Sequence, residues 1–345
     1  MGSRRAGGYL RLPVSETSRP GALVLSLDFE LHWGIRDHTP PDAPALRGAR
    51  EAIRQLLAVF AEREIACTWA SVGLLFASTR DEQEAGSPTV RPAYEDKSLD
   101  PYRQPVGASE EVAPVHFGAS LIEAIRETPR QELATHTFSH FYCGEPGATV
   151  EAFRADLEAA QSVSPQPLRS IVFPRNQSGE AFLTVLPEVG IDVYRGNPPG
   201  TLWRAEVGET GRQLHRRVLR LADAYLPVEG DTSVVWEEIP RPDGLADVRA
   251  SRFLRPYSPR LQRLEPLRVR RITKGIEAAA REGRVYHLWW HPHNFGIHLD
   301  ENLKVLGQII DAFDRCRQRD GMESLTMAEA ADRARAYAGQ APPQA

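Results

Sequence analysis

The sequence predicts an α/β protein whose strands form a closed or nearly closed barrel surrounded by helices. Two observations lead to this fold class. Apolar runs of strand length recur along the 345 residues, and segments with helical spacing of apolar residues separate them. Almost every apolar run ends in polar residues capable of chemistry, which is the layout of barrels whose sites lie at the carboxyl ends of the strands.

The composition is typical of a globular protein and argues against several functions. Hydrophobic residues make up 41% of the chain and charged residues 26%. The formal net charge of −4 gives no basic field for a nucleic acid. We find no apolar stretch long enough for a transmembrane helix, no signal-peptide core after the basic start, and no disulfide framework among the 3 cysteines. These features predict a cytoplasmic protein and leave its oligomeric state open.

A single catalytic barrel is expected over residues 21–335, between a flexible lead at 1–20 and a flexible tail at 336–345. Two insertions interrupt it. One spans about 78–115 and is polar and rich in proline, and the other spans about 200–260. Loops of this length are usually functional rims or mobile lids.

The first strand is predicted over residues 22–27, where a continuous apolar run is typical of burial on both faces. Asp28 and Glu30 follow it and, by strand alternation, point to the same side. Two carboxylates at the end of a buried strand are costly unless they are paired or bind a cation, although capping of a turn is the simpler explanation. A helix over 49–63 and a strand over 65–72 complete a β-α-β unit.

His136 and His140 are the second chemical signal. They follow the short run 132–134, and residues four apart share one face if the backbone turns helically there. Two imidazoles placed in this way can hold a divalent metal ion together with a third ligand. Unrelated histidines also produce this spacing, so whether this pair binds a metal depends on a third ligand from the end of another strand.

Later strands end in an arginine and in further histidines. Arg175 follows the strand predicted over 170–173, and His291 and His293 follow the one over 285–290. With the carboxylates and the histidine pair, these groups are the parts of a metal-assisted hydrolase that uses an acid and a base. The other predicted elements are strands over 191–194 and 233–239, helices over 149–161, 178–188, 201–226, 261–282 and 299–317, and a surface excursion over 240–260.

This order of motifs resembles that of the polysaccharide deacetylases, the NodB-homology or family 4 carbohydrate esterases. SLDFE at 26–30 stands at the first motif, with its acids one residue apart instead of adjacent, and HTFSH at 136–140 matches the second in full. FPRNQ at 173–177, YRGN at 194–197 and LWWH at 288–291 stand at the third, fourth and fifth motifs. The third and fourth differ from the usual letters of the family.

The resemblance implies a distorted (β/α)7 barrel that removes an N-acyl group, acetyl or formyl, from an amino sugar or glycoconjugate. It also implies one divalent ion as cofactor, with zinc as the expected metal and cobalt, nickel, iron and manganese as alternatives. The implied ligands are Glu30, His136 and His140, and His32 is a further candidate. In the implied mechanism Asp28 is the base and His291 the acid, and Arg175 orients Asp28.

Substrate contacts are expected from residues near these motifs, namely Trp33, Tyr142, Asn176, Asn197 and His293. Trp33 and Tyr142 offer rings for stacking on a sugar, but packing of the barrel mouth explains them equally well. Two other functions are left open. One is hydrolysis of a cyclic or linear amide by an allantoinase-like enzyme, and the other is a non-catalytic carbohydrate-binding descendant.

Overall fold

The computed structural model describes residues 19–198, 225 and 230–340, and these residues form one curled, parallel sheet. Its strands are β1 Ala22–Phe29, β2 Cys67–Ser71, β3 Gln131–Thr135, β4 Ser170–Ile171, β5 Val193–Tyr194, β6 Ala246–Asp247, β7 Arg252–Phe253, β8 Val285–Trp290 and β9 Glu323–Leu325. The strand order is β6-β5-β4-β3-β2-β1-β8-β7, with β9 paired to β1. The predicted distorted (β/α)7 barrel is thereby confirmed as the fold class.

Strand β1 lies at the centre of the sheet and is buried along its whole length. One edge pairs with β8, and the other pairs first with β9 and then with β2. Its side chains alternate between the helices outside and the barrel interior. The outward set is Leu23, Leu25, Leu27 and Phe29, and the inward set begins with Ala22 and Val24. The same alternation directs Ser26 and Asp28 into the barrel.

Helices pack around the sheet and across one end of it. They are α1 Pro44–Glu62, α2 Arg80–Gly86, α3 Ala119–Glu127, α4 Val150–Val163, α5 Glu180–Leu183, α6 Glu265–Glu282, α7 Leu299–Asp320 and α8 Met327–Gln340. The predicted N-cap of α4 is confirmed, because the Thr149 hydroxyl accepts a hydrogen bond from the backbone of Ala152. In α1, Ile53, Leu56 and Phe60 face the core at helical spacing.

Helix α8 closes the amino-terminal end of the barrel. Met327 and Ala331 pack against the inward residues of β1, in the same cluster as Val24. The first turn of α8 is held by the strands, since Met327 N donates to Thr68 Oγ1 at 2.8 Å and Ala328 N to Glu132 Oε2 at 3.2 Å. The open end is therefore the carboxyl end, where the strands deliver their polar residues.

Two sequence predictions about elements are wrong, and two elements after β8 were not predicted. Residues 233–239 are not a strand, because they form a 3₁₀ turn, Trp236–Glu238, with one antiparallel bridge from Val234 to Val285. Part of the predicted surface excursion over 240–260 instead supplies β6 and β7. Strand β8 is followed by another strand, β9, and by α8. Strands of two or three residues are too short to show an alternating pattern in sequence.

The predicted flexible tail begins too early. Helix α8 continues to Gln340, because the Tyr337 ring packs at 5.4 Å from that of Trp236, and the Arg19 guanidinium lies 4.7 Å from the Tyr337 ring centre. Three predicted segments lie wholly or largely outside the described residues. They are the lead over 1–20, apart from residues 19 and 20, the helix over 201–226, apart from residue 225, and the last residues, 341–345.

The insertion over 78–115 is folded onto the barrel. It contains α2, whose N-terminus is a capping box between Thr79 and Glu82, and two 3₁₀ turns, Lys97–Leu99 and Pro101–Arg103. Tyr94 and Leu99 are buried against Tyr142. The insertion also borders a groove of about 650 Å³ whose lining does not include the metal-binding candidates. A role for this insertion as a rim or lid stays a prediction.

No helix among the described residues is both long and apolar enough to cross a membrane. The cytoplasmic location stays a prediction from the sequence.

Candidate active site

Glu30, His136 and His140 lie together at the carboxyl ends of β1 and β3. The Glu30 carboxylate oxygen Oε2 is 3.0 Å from His140 Nε2 and 3.3 Å from His136 Nε2. One ligand atom from each residue lies within 4.8 Å of the other two, and all three side chains are buried. The structure therefore brings the three predicted ligands to one point. His32 is not part of the cluster, because its ring nitrogens face His116 Nε2 and Thr39 O, each at 2.9 Å.

The turn that carries the two histidines is not helical, contrary to the sequence prediction. Thr137 and His140 have φ values of 65° and 56°, which lie in the left-handed region. A buried carboxylate holds this turn, because Asp156 accepts hydrogen bonds from Phe138 N at 2.6 Å and from the Ser139 hydroxyl. The two imidazoles still meet, with ring centres 4.9 Å apart.

The donor set fits one divalent ion. His136 Nδ1 lies 2.8 Å from Val172 O, and because a carbonyl only accepts, the proton sits on Nδ1 and leaves Nε2 free to bind a metal. His140 Nδ1 is buried and has no hydrogen-bond partner within the described part of the chain. Gly34 makes room for the carboxylate, since a Cβ at that position would lie 1.9 Å from Glu30 Cδ. One carboxylate and two imidazoles suit zinc and its neighbours in the transition series.

The protonation states of the ligands also suit a cation. Burial alone would raise the pKa of Glu30, but the neighbouring imidazoles of His291, His136 and His140 outweigh it and hold that pKa well below its usual range. Burial lowers the pKa of His140 to about 3, so this imidazole is neutral. Glu30 is thus anionic and His140 has a free lone pair near neutral pH.

Asp28 is paired with Arg195 and not with Arg175, so the predicted partner is wrong. Arg195 Nη1 lies 2.7 Å from Asp28 Oδ1 and Nη2 lies 2.9 Å from Oδ2, with both side chains buried. Burial would raise the pKa of Asp28, but the Arg195 guanidinium more than compensates, and the pKa lies below its usual value. Asp28 is therefore ionised and held by a bidentate ion pair with Arg195.

Arg175 lies at the rim of the barrel. It belongs to a 3₁₀ turn after β4 and has a φ of 53°, which turns its side chain outward. There it contacts Asp37 at 2.5 Å and Glu145 at 3.4 Å, and its guanidinium lies 4.3 Å from the Tyr142 ring centre. The Arg175 side chain therefore pairs with acids at the rim and not with Asp28.

His291 follows β8 and reaches both carboxylates. Its Nε2 lies 3.5 Å from Glu30 Oε1 and 3.8 Å from Asp28 Oδ2. Its side chain is 25% exposed, whereas those of Asp28 and Glu30 are 5% and 3% exposed. The candidate acid therefore stands between the buried carboxylates and the solvent.

Two predicted stacking residues do not present a ring to a substrate. Trp33 is 1% exposed and its indole N–H donates to His116 O at 3.0 Å. Tyr142 is fully buried, with the guanidinium groups of Arg36 and Arg175 within 5.1 Å and 4.3 Å of its ring centre. Both rings pack the barrel mouth, which is the alternative that the sequence left open.

The other substrate candidates lie at the mouth of the barrel. Asn176 Oδ1 accepts from Arg195 Nη2 at 3.1 Å, and Asn197 Nδ2 donates to Asn176 O at 3.1 Å. The His293 ring lies 5.2 Å from that of His291, and its Nδ1 is buried without a partner. Burial lowers the pKa of His293 to about 4, so it is neutral. Contact of these three residues with a substrate stays a prediction.

Comparison with known proteins supports the fold. No protein-family model and no curated protein sequence matches the chain. A crystal structure named provisionally as a polysaccharide deacetylase from Mycobacterium smegmatis has a TM-score of 0.54 and 14% sequence identity, over 96% of this chain and 98% of that one. The chain has the polysaccharide deacetylase fold.

Two other similar structures have TM-scores below 0.5, so the shared deacetylase fold rests on the mycobacterial structure. A family 4 carbohydrate esterase from Streptomyces lividans matches with a TM-score of 0.39 and 9% identity, over 86% of this chain and 88% of that one. A 4-alpha-glucanotransferase from Thermococcus litoralis matches with 0.48 and 12% identity, over 91% of this chain and 40% of that one.

Within this deacetylase fold, four residues that were not predicted as site residues line the site from the barrel interior: Ser26, Arg195, His287 and Trp289. Trp289 covers the guanidinium of Arg195, with its ring centre 4.1 Å from Cζ. Strand alternation was the available signal, because Ser26 precedes Asp28 by two residues on β1 and Arg195 follows the inward Val193 by two.

Proposed function

We propose that the protein is a metal-dependent hydrolase that removes an N-acetyl or N-formyl group from an amino sugar or glycoconjugate. One observation carries this proposal. A buried carboxylate and two histidines suited to a divalent ion lie beside a separate carboxylate, Asp28, and a partly exposed imidazole, His291. Hydrolysis of an amide needs these groups, namely a Lewis acid, a base for water and an acid for the leaving amine.

Glu30, His136 and His140 would hold the ion. A divalent ion at this point supplies Lewis acidity, which polarises an acyl carbonyl and acidifies a water molecule. The surrounding chain keeps the ligands in place. Val172 O orients His136, and the hydrogen bonds that Asp156 accepts from the turn fix its shape.

Asp28 would accept the proton of the attacking water. Arg195 keeps it ionised and fixes both of its oxygens, so it is in its basic form and correctly oriented before the substrate arrives. Its Oδ2 faces His291, so the group that accepts a proton and the group that donates one meet on the same side of the cluster.

His291 would protonate the leaving amine. It is the exposed member of the group, and the rings of Trp289 and Phe253 support it with centres 5.7 Å and 5.8 Å away. An imidazole that contacts two carboxylates and the solvent can be recharged with a proton between turnovers.

The test is release of acetate or formate by the metal-loaded protein from a panel of N-acetyl and N-formyl amino sugars, free and nucleotide-linked. Release that stops on chelation and returns with zinc supports the proposal. Bound metal with no release from any member would favour the carbohydrate-binding descendant. Ring opening of a cyclic amide such as allantoin, with no release of acetate or formate from the panel, would favour the allantoinase-like alternative.

A further inference from the structure

The guanidinium that holds the base rests on a buried polar layer of the barrel. Arg195 Nη1 donates to Ser26 Oγ at 3.0 Å as well as to Asp28. Ser26 Oγ lies 2.8 Å from His287 Nε2, and His287 Nδ1 lies 2.9 Å from Val248 O. Because Ser26, Arg195 and His287 are buried, no solvent molecule replaces a lost partner in this layer.

The direction of each hydrogen bond in the layer is fixed. Val248 O only accepts, so Nδ1 of His287 carries the proton. Burial lowers the pKa of His287 to about 3, so the ring is neutral and its Nε2 accepts from the Ser26 hydroxyl. Ser26 therefore directs its proton to His287 and its lone pairs to Arg195, which can only donate.

We propose that Ser26 and His287 are positioning residues of the site. They hold the Arg195 guanidinium from the barrel interior, and through it they fix the carboxylate of Asp28. This inference rests on the proposed function. Neither residue contacts Asp28 through a hydrogen bond of its own, so both act through Arg195. Asn176 and Trp289 hold the guanidinium from the mouth, where they are partly exposed, whereas Ser26 and His287 hold it from the closed interior.

The kinetic test compares Ser26→Ala and His287→Leu with the wild-type protein. Each is expected to lower kcat about 10-fold with KM and metal content unchanged, because the substrate and metal contacts are intact and only the base is less well held. His287→Gln keeps an acceptor towards Ser26 and is expected to recover most of the lost kcat.

Ser170→Ala is the matched control. Ser170 is a buried strand serine whose hydroxyl donates to Glu132 Oε1 at 2.5 Å, near the end of the barrel that α8 closes. The variant loses a comparable hydrogen bond whose acceptor, Glu132, contacts Thr68 and α8, so its kcat is expected to equal that of the wild type. If Ser26→Ala lowers kcat no more than Ser170→Ala does, the positioning role is overturned.

A second measurement does not depend on turnover. NMR exchange of the Arg195 guanidinium protons is expected to be about 10-fold faster in Ser26→Ala than in the wild type and unchanged in Ser170→Ala. Equal protection in all three proteins would refute the link from Ser26 to Arg195. A wild-type protein inactive on the whole substrate panel would instead refute the proposed function, and the exchange measurement would still decide the contact.

Discussion

Arg195 and Arg175 show that residue type alone does not assign a role in this site. They follow neighbouring strands, β5 and β4, and the sequence pointed to Arg175 as the partner of Asp28. Only Arg195 continues the alternation of its strand into the barrel and pairs with Asp28. Arg175 lies in a turn with positive φ and pairs with Asp37 at the rim. The cation that keeps Asp28 ionised is therefore the arginine whose strand directs it into the barrel.

The two arginines are expected to differ in their effect on stability. Arg195→Met leaves Asp28 buried without its cation and should lower the free energy of unfolding by about 3–5 kcal/mol. Arg175→Met removes a partly exposed pair and should cost about 1 kcal/mol or less. Urea unfolding at neutral pH measures both, and equal losses for the two variants would contradict the assignment of Arg195.

Substitutions of Asp28 and His136 are expected to affect turnover and metal binding differently. Asp28→Asn keeps the ligand set, so it should retain metal while kcat falls about 10²–10⁴-fold through loss of the base. His136→Ala removes a ligand and should lose both metal and turnover. Metal analysis of the purified variants, together with release of acetate or formate, checks this pair. Near-normal activity of Asp28→Asn would show that another group is the base.

At the scale of elements, the turn after β3 depends on α4. Asp156 is buried on α4 and accepts from Phe138 and Ser139, which lie between the two histidine ligands. This contact explains how a turn with two left-handed residues keeps its shape. Burial raises the pKa of Asp156 from 3.8 to about 6, so the folded state binds this proton more tightly than the unfolded chain.

The raised pKa of Asp156 predicts a dependence of stability on pH. Its contribution is fully present below about pH 4 and is lost as the pH rises through about 6, up to about 3 kcal/mol. The stability of the wild type relative to Asp156→Asn should therefore fall between these pH values. Parallel urea unfolding of both proteins across pH 4–7 measures the difference, and a difference independent of pH would contradict the raised pKa.

At the scale of the whole molecule, the two ends of the barrel have separate tasks. Helix α8 and the half-buried Glu132 close the amino-terminal end, where Ser170 and Thr68 donate to that carboxylate. The carboxyl end carries the metal candidates, and their ligands come from β1 and from the turn after β3. A metal ion bound there would link these parts of the folded chain, and it has no preformed site in the unfolded chain.

Metal binding is therefore expected to stabilise the fold. A divalent ion at 100 times its Kd should raise the free energy of unfolding by about 2.7 kcal/mol, with a corresponding rise in Tm. Chelation should reverse the rise, and Glu30→Gln should abolish it because the anionic ligand is gone. Thermal unfolding with and without zinc tests this. The same rise in Glu30→Gln would place the metal elsewhere.

The sequence by itself determined the barrel and the central groups of the site. Continuous apolar runs ending in polar residues are local patterns, and strand alternation already places Asp28 and Glu30 on one side of β1. The spacing of His136 and His140 indicated a shared metal, although the turn between them is not the helical one predicted. These features depend on residues close in the chain, which is why they could be read from it.

Tertiary structure decided the partners across the barrel. The choice of Arg195 over Arg175, the layer of Ser26 and His287, and the burial of Trp33 and Tyr142 all join residues far apart in sequence. Strands β6 and β7, of two residues each, exist because their neighbours β5 and β8 offer backbone partners. Long-range contacts of this kind leave no periodic signal, because each depends on where several other segments have already packed.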